Sequence, residues 1–388
     1  MKRVLLALPC LSLVVSGCRI ELPLADVRLQ EEAVRAEVHA LALAPGDVLT
    51  LLTEYGKIEV VALDLEETGG GRAELQATLR AHGRTAEEAR AVLARYELRI
   101  ERGPAGPRAE LVGEPLRLER GLVHMELSAH VDFVATVPTG TKLAARSGGG
   151  DLVTRGALGA LELESEYGAI QIDEARGDVR AKSGSGDIAA VRLVDGGEIT
   201  LRSAYGDVRV QEARARRVSC QSGSGDIRVD SATADQLELE TSYGSVHAGR
   251  AEGAVHARSG SGDVRLHGVN GAVEAESSYG TVEVDGVLSA LAARSGSGTV
   301  HVRARAGSRI ESRWTIESDY GDVLLAVPEG FACALDAETS YGTVACDFPV
   351  AIEAGQKKRD NALKGSLGSG GGTVTLSSGS GNILLKKL

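Results

Sequence analysis

The residue most able to do chemistry in this chain is an aspartate that recurs at fixed intervals after a glycine. Regularly spaced carboxylates could bind Ca²⁺ along a stack of repeats, as they do in nonapeptide β-rolls. In those repeats one residue separates the aspartate from the last glycine, whereas here it follows the glycine directly. That spacing favours turns shaped by hydrogen bonds to the backbone. The recurring aspartates are Asp151, Asp187, Asp226 and Asp263, with Asp207 and Asp322 at the same position in alternate repeats.

Histidines and acids give little sign of an active site. His247, His256, His267 and His301 each follow an inward-type apolar residue and should face outward, and their spacing places no two at matching positions in adjacent repeats. A glycan-cleaving enzyme needs converging carboxylates with a water or a base. The recurring acids lie at turns instead. The sequence therefore favours a chain without catalytic residues, metal ligands or a cofactor.

These residues belong to a phrase with two alternating spellings. One spelling, Ser-Gly-Ser-Gly-Asp, begins at Ser183, Ser222 and Ser259, with variants at Ser147 and Ser295. The other, Ser-x-Tyr-Gly, begins at Ser165, Ser203, Thr241, Ser277 and Ser318. A period of about 18 to 20 residues is typical of a solenoid, because units this short bury a core only by stacking on one another.

Short strands connect the phrases. Apolar residues are paired two positions apart, as in Val208 with Val210 and Val264 with Leu266, and polar residues stand between them. This alternation predicts strands with one buried face. Each coil should hold at least two strands, and stacked coils should pair in parallel. The expected fold is all-β, a parallel β-helix (β-solenoid) with about 18–20 residues per coil.

Tyrosines should form one column of this stack. The intervening coils carry serine at the tyrosine position and glycine before it. We expect each ring to lie over the Gly-Ser backbone of the adjacent coil, because aromatic cover stabilises strand glycines. The tyrosines of the column are Tyr55, Tyr167, Tyr205, Tyr243, Tyr279, Tyr320 and Tyr341.

Residues 46–140 are expected to hold the first coil and a small helix-bearing insertion. The segment from Thr53 to Ile58 fits the tyrosine spelling, and the stack should then be interrupted until about residue 140. The residues Thr85 to Glu88 form a capping box, and the apolar residues that follow lie on one helical stripe. Strands should flank this helix. We interpret the insertion as an N-terminal cap on the solenoid.

Residues 141–388 hold the remaining repeats, which lose regularity toward the C-terminus. Tyr341 follows Tyr320 without a serine phrase between them. Residues 351–372 are rich in Lys, Gly and Ser, which predicts a mobile loop. Two further strands, near residues 373–376 and 382–386, should close the chain.

The N-terminus predicts export and a lipid anchor. Residues 1–17 have the pattern of a signal peptide, with Lys2 and Arg3 before an apolar run too short to span a bilayer as a helix. The following residues, Val15-Ser16-Gly17-Cys18, resemble the bacterial lipobox. That resemblance implies diacylglycerol and a further acyl chain, such as palmitate, on Cys18, which would anchor residues 18–45 to a membrane.

Two further features bear on location and partners. Arg19, where inner-membrane lipoproteins commonly carry aspartate, favours the outer membrane, on its periplasmic face or at the cell surface. The net charge of −11 becomes −13 when Lys2 and Arg3 leave with residues 1–17, which contain no acid. An acidic chain argues against nucleic acid as a partner.

Three cysteines would remain besides Cys18 in the mature chain. An odd number leaves at least one thiol free. The sequence favours small buried side chains for Cys220, Cys333 and Cys346. A bridge between Cys333 and Cys346 stays open, on the condition that their half-coils are neighbours.

The two phrases, together with Val137-Pro138-x-Gly140, resemble the bacterial β-strand-repeat family known as putative adhesins, a domain of unknown function. The resemblance covers residues 46–388 and implies a right-handed β-helix in a cell-envelope setting, with no established catalytic residues. We therefore expect a non-catalytic envelope lipoprotein that serves as a rigid interaction scaffold for an envelope protein or a glycan. A carbohydrate-active β-helix enzyme and a calcium-stabilised β-roll are the alternatives.

Overall fold

The computed structural model describes residues 29–44, 46–64, 73–120, 123–352 and 359–388. These residues form two compact units. The smaller unit contains the described residues up to Ala36, with Leu79–Glu97 and Val112–His130; the larger contains Glu37–Thr78, Leu98–Leu111 and Val131–Leu388.

The first third of the chain contains nine strands and one helix among its described residues, and the helix stands between two strands as the sequence predicts. They are β1 (Glu31–Ala40), β2 (Val48–Thr53), β3 (Ile58–Leu63), β4 (Glu74–Gly83), α1 (Ala86–Leu93), β5 (Tyr96–Gly103), β6 (Gly106–Gly113), β7 (Leu116–Arg120), β8 (Val123–Leu127) and β9 (Ala129–Pro138).

Helix α1 begins with the capping box that the sequence indicates. The Thr85 hydroxyl accepts a hydrogen bond from the Glu88 N–H at 3.1 Å, and the Glu88 carboxylate accepts one from the Arg84 N–H at 3.1 Å. The first bond satisfies a donor that a helix start leaves unpaired, and the second ties the residue before the N-cap to the first turn. Ala89 and Val92 on its apolar stripe are buried. Within the described ranges, no helix has the length and hydropathy needed to cross a membrane.

The middle of the chain is a parallel β-solenoid, which confirms the predicted fold. Ile188 pairs with Val208, and Val208 with Ile227, so that apolar residues of successive coils stack in the core. The strands are β10 (Lys142–Ser147), β11 (Leu152–Leu158), β12 (Leu161–Ser165), β13 (Ile170–Arg176), β14 (Val179–Ser183), β15 (Ile188–Ser203), β16 (Val208–Ser222), β17 (Ile227–Thr241), β18 (Val246–Ser259), β19 (Val264–Ser277), β20 (Val282–Ser295) and β21 (Val300–Ala304).

The first coil joins this stack directly, although the insertion separates them in sequence. Strands β2 and β3 pair in parallel with β10 and β11, with Thr53 opposite Ser147. On their other edges, β2 pairs with β6 and β3 with β9. Part of the segment expected to interrupt the solenoid therefore continues its parallel strand pairing. The buried residues of β9, such as Phe133 and Val137, extend the same apolar core.

The last strands do not follow chain order. Strand β28 (Thr373–Ser378) lies between β22 (Trp314–Ser318) and β24 (Cys333–Thr339), so that Ser378 pairs with Ser318 on one side and Thr339 on the other. The phrase beginning at Ser378 thus supplies the serine coil that is missing in sequence between Tyr320 and Tyr341. The strands are β22 (Trp314–Ser318), β23 (Val323–Val327), β24 (Cys333–Thr339), β25 (Val344–Cys346), β26 (Val350–Ile352), β27 (Ala362–Leu367), β28 (Thr373–Ser378) and β29 (Ile383–Lys387).

The prediction of a mobile loop at residues 351–372 is wrong for much of that segment, because Ala362–Leu367 forms a strand. Strand β27 pairs antiparallel with both β24 and β26, and its Leu367 is buried. Its composition is that of a loop, but β24 would otherwise expose an unpaired edge, which is costly for a sheet. Residues 353–358 lie outside the described residues.

Candidate functional site

Each coil turns at a serine or threonine whose hydroxyl joins two coils. The Oγ of Ser222 accepts a hydrogen bond from the Gly225 N–H at 2.9 Å and donates one to the Gly206 carbonyl of the preceding coil at 2.9 Å. The same pair of bonds recurs at each paired position, which we call the hydroxyl ladder. Its members are Thr53, Ser147, Ser165, Ser183, Ser203, Ser222, Thr241, Ser259, Ser277, Ser295, Ser318, Ser378 and Thr339.

The glycine three residues after each ladder hydroxyl allows the coils to approach closely. A Cβ atom built on Gly225 would lie 2.3 Å from the Gly206 carbonyl oxygen, and one on Gly206 would lie 2.4 Å from that of Gly186. No side chain fits at such a distance. This contact explains why both spellings keep glycine at this position.

The recurring aspartates connect each turn to the equivalent turn of the next coil through side-chain to backbone hydrogen bonds. The Asp187 carboxylate accepts the Asp207 N–H at 2.9 Å, and the Asp207 carboxylate accepts the Asp226 N–H at 2.8 Å. Asp151, Asp263 and Asp322 do the same for their neighbouring coils. The predicted turn-shaping role is confirmed, with the difference that each bond reaches the next coil. Among the described residues, no three His, Cys, Asp or Glu are arranged to hold a metal ion.

The tyrosines of the repeat lie two residues beyond the hydroxyl ladder, at one position in alternate coils. We call Tyr55, Tyr167, Tyr205, Tyr243, Tyr279, Tyr320 and Tyr341 the tyrosine row. These residues are 66–87% exposed. The Tyr55 ring does approach a glycine of the next coil, because a Cβ on Gly149 would lie 3.1 Å from its Cδ1. Most of each tyrosine therefore faces solvent, while the hydroxyl ladder and the glycines make close contacts between the coils.

Paired charges cover the outer faces of the coils. Glu174 contacts Arg192 and Arg176, and hydrogen bonding by Arg192 lowers the pKa of its carboxyl below the ordinary value. Arg305 donates two hydrogen bonds to Asp285, at 2.6 and 2.9 Å, and lowers its pKa in the same way. Both carboxyls are therefore held in the charged form that suits ion pairing rather than proton donation.

Two of the four repeat histidines, His247 and His267, are in ring contact. The sequence did not predict this contact, because the two residues do not occupy equivalent positions in adjacent coils. The rings of His247 and His267 have centroids 5.6 Å apart. His247 pairs with Arg265, and His267 lies two residues further along the same strand face, so the two rings are diagonal neighbours. Burial, and then the charge of Arg228, lowers the pKa of His247. His256 instead contacts Glu274, with 3.0 Å between Nδ1 and the carboxylate.

Comparison with known families identifies the repeat. A sequence model of the Toastrack DUF4097 family matches residues 134–285 and again 271–386, which together make up most of the chain. The chain belongs to the Toastrack family. This confirms the resemblance to a domain of unknown function, and the matched ranges cover most of the solenoid. No curated protein matches the chain.

Several solved structures resemble this Toastrack chain at low sequence identity. A putative adhesin from Bacteroides fragilis is 13% identical, with a TM-score of 0.31 over 70% of this chain and 97% of its own. A putative adhesin from Parabacteroides distasonis is 9% identical, with a TM-score of 0.29 over 92% and 97%. A putative lipid binding protein from Parabacteroides distasonis is 11% identical, with a TM-score of 0.30 over 90% and 96%.

Two shallow grooves open on the faces of the Toastrack solenoid. One, of about 250 Å³, contains the charged side chains of Lys142, Glu162 and Arg180. The other, of about 230 Å³, contains His256 and Glu274 beside Ser312. Both are smaller than the roughly 300–1,000 Å³ of a typical small-molecule site.

The cysteines of the described Toastrack repeats are free thiols. Cys220 is buried in the core, which raises the pKa of its thiol to about 12, and burial raises that of Cys333 to about 11. Cys346 is half-buried, and burial raises its pKa as well. Buried thiols of high pKa are poor nucleophiles, which agrees with a packing role. The predicted lipidation site, Cys18, lies outside the described residues.

Proposed function

We propose that this Toastrack chain is a non-catalytic lipoprotein of the bacterial cell envelope and serves as a binding scaffold. The observation that carries the proposal is the use of the recurring polar groups. The ladder hydroxyls and the turn aspartates bond from coil to coil, so the repeat itself builds a regular support. In alternate coils this support presents the exposed side chains of the tyrosine row to solvent.

The state of the acids supports a role without catalysis. A glycan-cleaving enzyme needs one carboxyl with a raised pKa that can donate a proton, beside a second that stays ionised. In the described part of the chain, each carboxyl whose pKa is shifted has a lowered value, as Glu174, Asp178 and Glu274 illustrate. These groups act as permanent anions in the pH range of the cell.

The lipid anchor is tested by acylation of the full-length chain in a Gram-negative host. We expect the wild type to incorporate an alkynyl palmitate analogue and to sediment with outer membranes. Cys18→Ser should lose both properties. Cys10→Ser is the matched control, because Cys10 lies in the same signal peptide but outside the lipobox. Loss of label in the control, or a soluble wild type, would contradict the anchor.

The alternative of a glycan-cleaving enzyme has its best candidate in the groove near Ser312. There His256 could act as a base, because Glu274 contacts its Nδ1 and leaves Nε2 available. We expect no release of reducing sugars from a panel of cell-wall and capsular glycans. Activity that His256→Ala abolishes would establish the enzyme and reject the scaffold.

A further inference from the structure

We propose that the tyrosine row binds one strand of a neutral, extended, β-1,4-linked polysaccharide. The inference rests on the proposed scaffold role and names its ligand. Its first support is continuity, because the row runs through the out-of-order coil. Tyr320 and Tyr341 stand two residues after Ser318 and Thr339, and the coil of Ser378 lies between those two.

The spacing of the row suits a polymer whose repeat is two units long. Neighbouring strands lie about 4.8 Å apart, so rings in alternate coils are separated by about 10 Å. In an extended β-1,4-linked glycan, one sugar advances about as far as one strand spacing, and alternate sugars present the same face. Each ring can therefore meet an equivalent sugar face along the whole row.

The surface chemistry of the row suits sugars. Tyr55 approaches the next coil at Gly149 and is 66% exposed, so most of its ring is accessible to a ligand. Between the rings stand exposed serine hydroxyls, which can exchange hydrogen bonds with sugar hydroxyls. These serines are Ser185, Ser224, Ser261, Ser297 and Ser380. A strip of aromatic faces and hydroxyls thus offers both contacts that a neutral glycan makes.

The negative charge along the row favours a neutral glycan over anionic ligands. The turn aspartates stand two positions beyond the column that the tyrosines share with the intervening serines, and Glu54, Glu166 and Asp319 directly precede tyrosines of the row. Arg209 and Arg265 ion-pair with some of these aspartates, but the acids along the row outnumber them. Acidic side chains along the row repel polyanionic glycans and anionic lipid surfaces. They also oppose edge-to-edge pairing of two copies, which would bring two acidic rows together. The ligand that meets no such repulsion is an uncharged chain.

The test uses full-length protein in detergent and calorimetric titration with cellohexaose and chitohexaose. Six sugars should span about three rings, so binding should strengthen from cellobiose to cellohexaose as more rings are engaged. The variant Tyr205→Ala/Tyr243→Ala/Tyr279→Ala should bind the hexaoses at least about tenfold more weakly, since each aromatic contact contributes about two- to tenfold. The matched variant with Phe at all three positions keeps the rings and should bind within about threefold of the wild type.

Three results would overturn the inference. One is a wild type that binds neither hexaose while its circular dichroism shows a folded chain. Another is a triple alanine variant that binds as tightly as the wild type. The third is a tyrosine-dependent affinity for phosphatidylglycerol vesicles, or tyrosine-dependent dimerisation, in place of hexaose binding. The anchor is judged separately by palmitate labelling of Cys18, so failure of the glycan inference leaves that result unchanged.

Discussion

Each ladder serine joins two coils through a single oxygen atom, which both accepts and donates a hydrogen bond. Ser222 is buried, so neither Gly225 N–H nor Gly206 C=O has water as a substitute partner. Leaving a buried donor or acceptor unpaired costs about 1–3 kcal/mol. The hydroxyl ladder therefore accounts for the serine or threonine that opens each phrase of the repeat.

The substitution Ser222→Ala should lower the free energy of unfolding by about 1–3 kcal/mol, because it leaves both glycine groups unpaired. Ser222→Thr is the control, since Thr241 makes the same two bonds at the equivalent position. Urea unfolding followed by circular dichroism measures both variants. Equal stability of the alanine and threonine variants would argue against the ladder.

Acid should weaken the fold through His247. Its folded-state pKa lies below the ordinary value of 6.5, because burial, Arg228, His267 and Arg265 disfavour the imidazolium, with only Asp230 opposing them. The unfolded chain therefore binds more protons below about pH 6.5, and stability falls as the pH drops from there toward the folded pKa. Carboxyls such as Glu174 have lowered values and lose their contribution only at more acidic pH.

The variant His247→Gln should lose less stability than the wild type between pH 7 and about pH 5. Part of the pH dependence should persist, because burial also lowers the pKa of His301. Urea midpoints measured across this range give the comparison. Parallel profiles for the two proteins would show that His247 does not contribute.

At the scale of elements, period-two patterning predicted strands and parallel coils, because a buried face forces apolar residues to alternate. The order of the last coils was not predictable. Strand β28 carries the same phrase as other serine coils, so local pattern cannot specify which neighbours it joins. Strand β27 was missed for a related reason. Lys364, Gly365 and Ser366 have loop composition, and the edge of β24 makes them a strand.

Truncation of Leu376 tests the out-of-order coil. This buried residue of β28 pairs with Ile316 of β22 and Ala337 of β24. Leu376→Ala should cost about 2–5 kcal/mol locally. Hydrogen exchange should become faster in β22 and β24 and stay unchanged in β16 and β17, because coils contact only their neighbours.

The matched control is Leu239→Ala, which removes an equally buried leucine from β17 in the middle of the stack. Its effect on exchange should appear in β16 and β18 and leave β24 unchanged. Unchanged protection of both β22 and β24 in Leu376→Ala would contradict the position of β28.

At the scale of the whole molecule, the alternation of spellings becomes a regular surface. The sequence predicted a tyrosine column on the basis of alignment alone, and it identified the family from the same phrases. The sequence also predicted that the rings pack over the neighbouring coils. Spacing alone does not report how much of each ring faces solvent, so the exposure of the row was not predicted. The insertion of β28 is also needed for the regularity, because it keeps Tyr320 and Tyr341 from occupying adjacent coils.

The account rests on an exposed tyrosine row, and nitration of tyrosines by tetranitromethane, read by peptide mass spectrometry, tests it most directly. The eighth tyrosine, Tyr96, is 9% exposed and serves as an internal control in the same chain. We predict that the seven tyrosines of the row are nitrated in the folded full-length protein, whereas Tyr96 reacts only in urea. Protection of the row tyrosines to the same extent as Tyr96 would contradict the account.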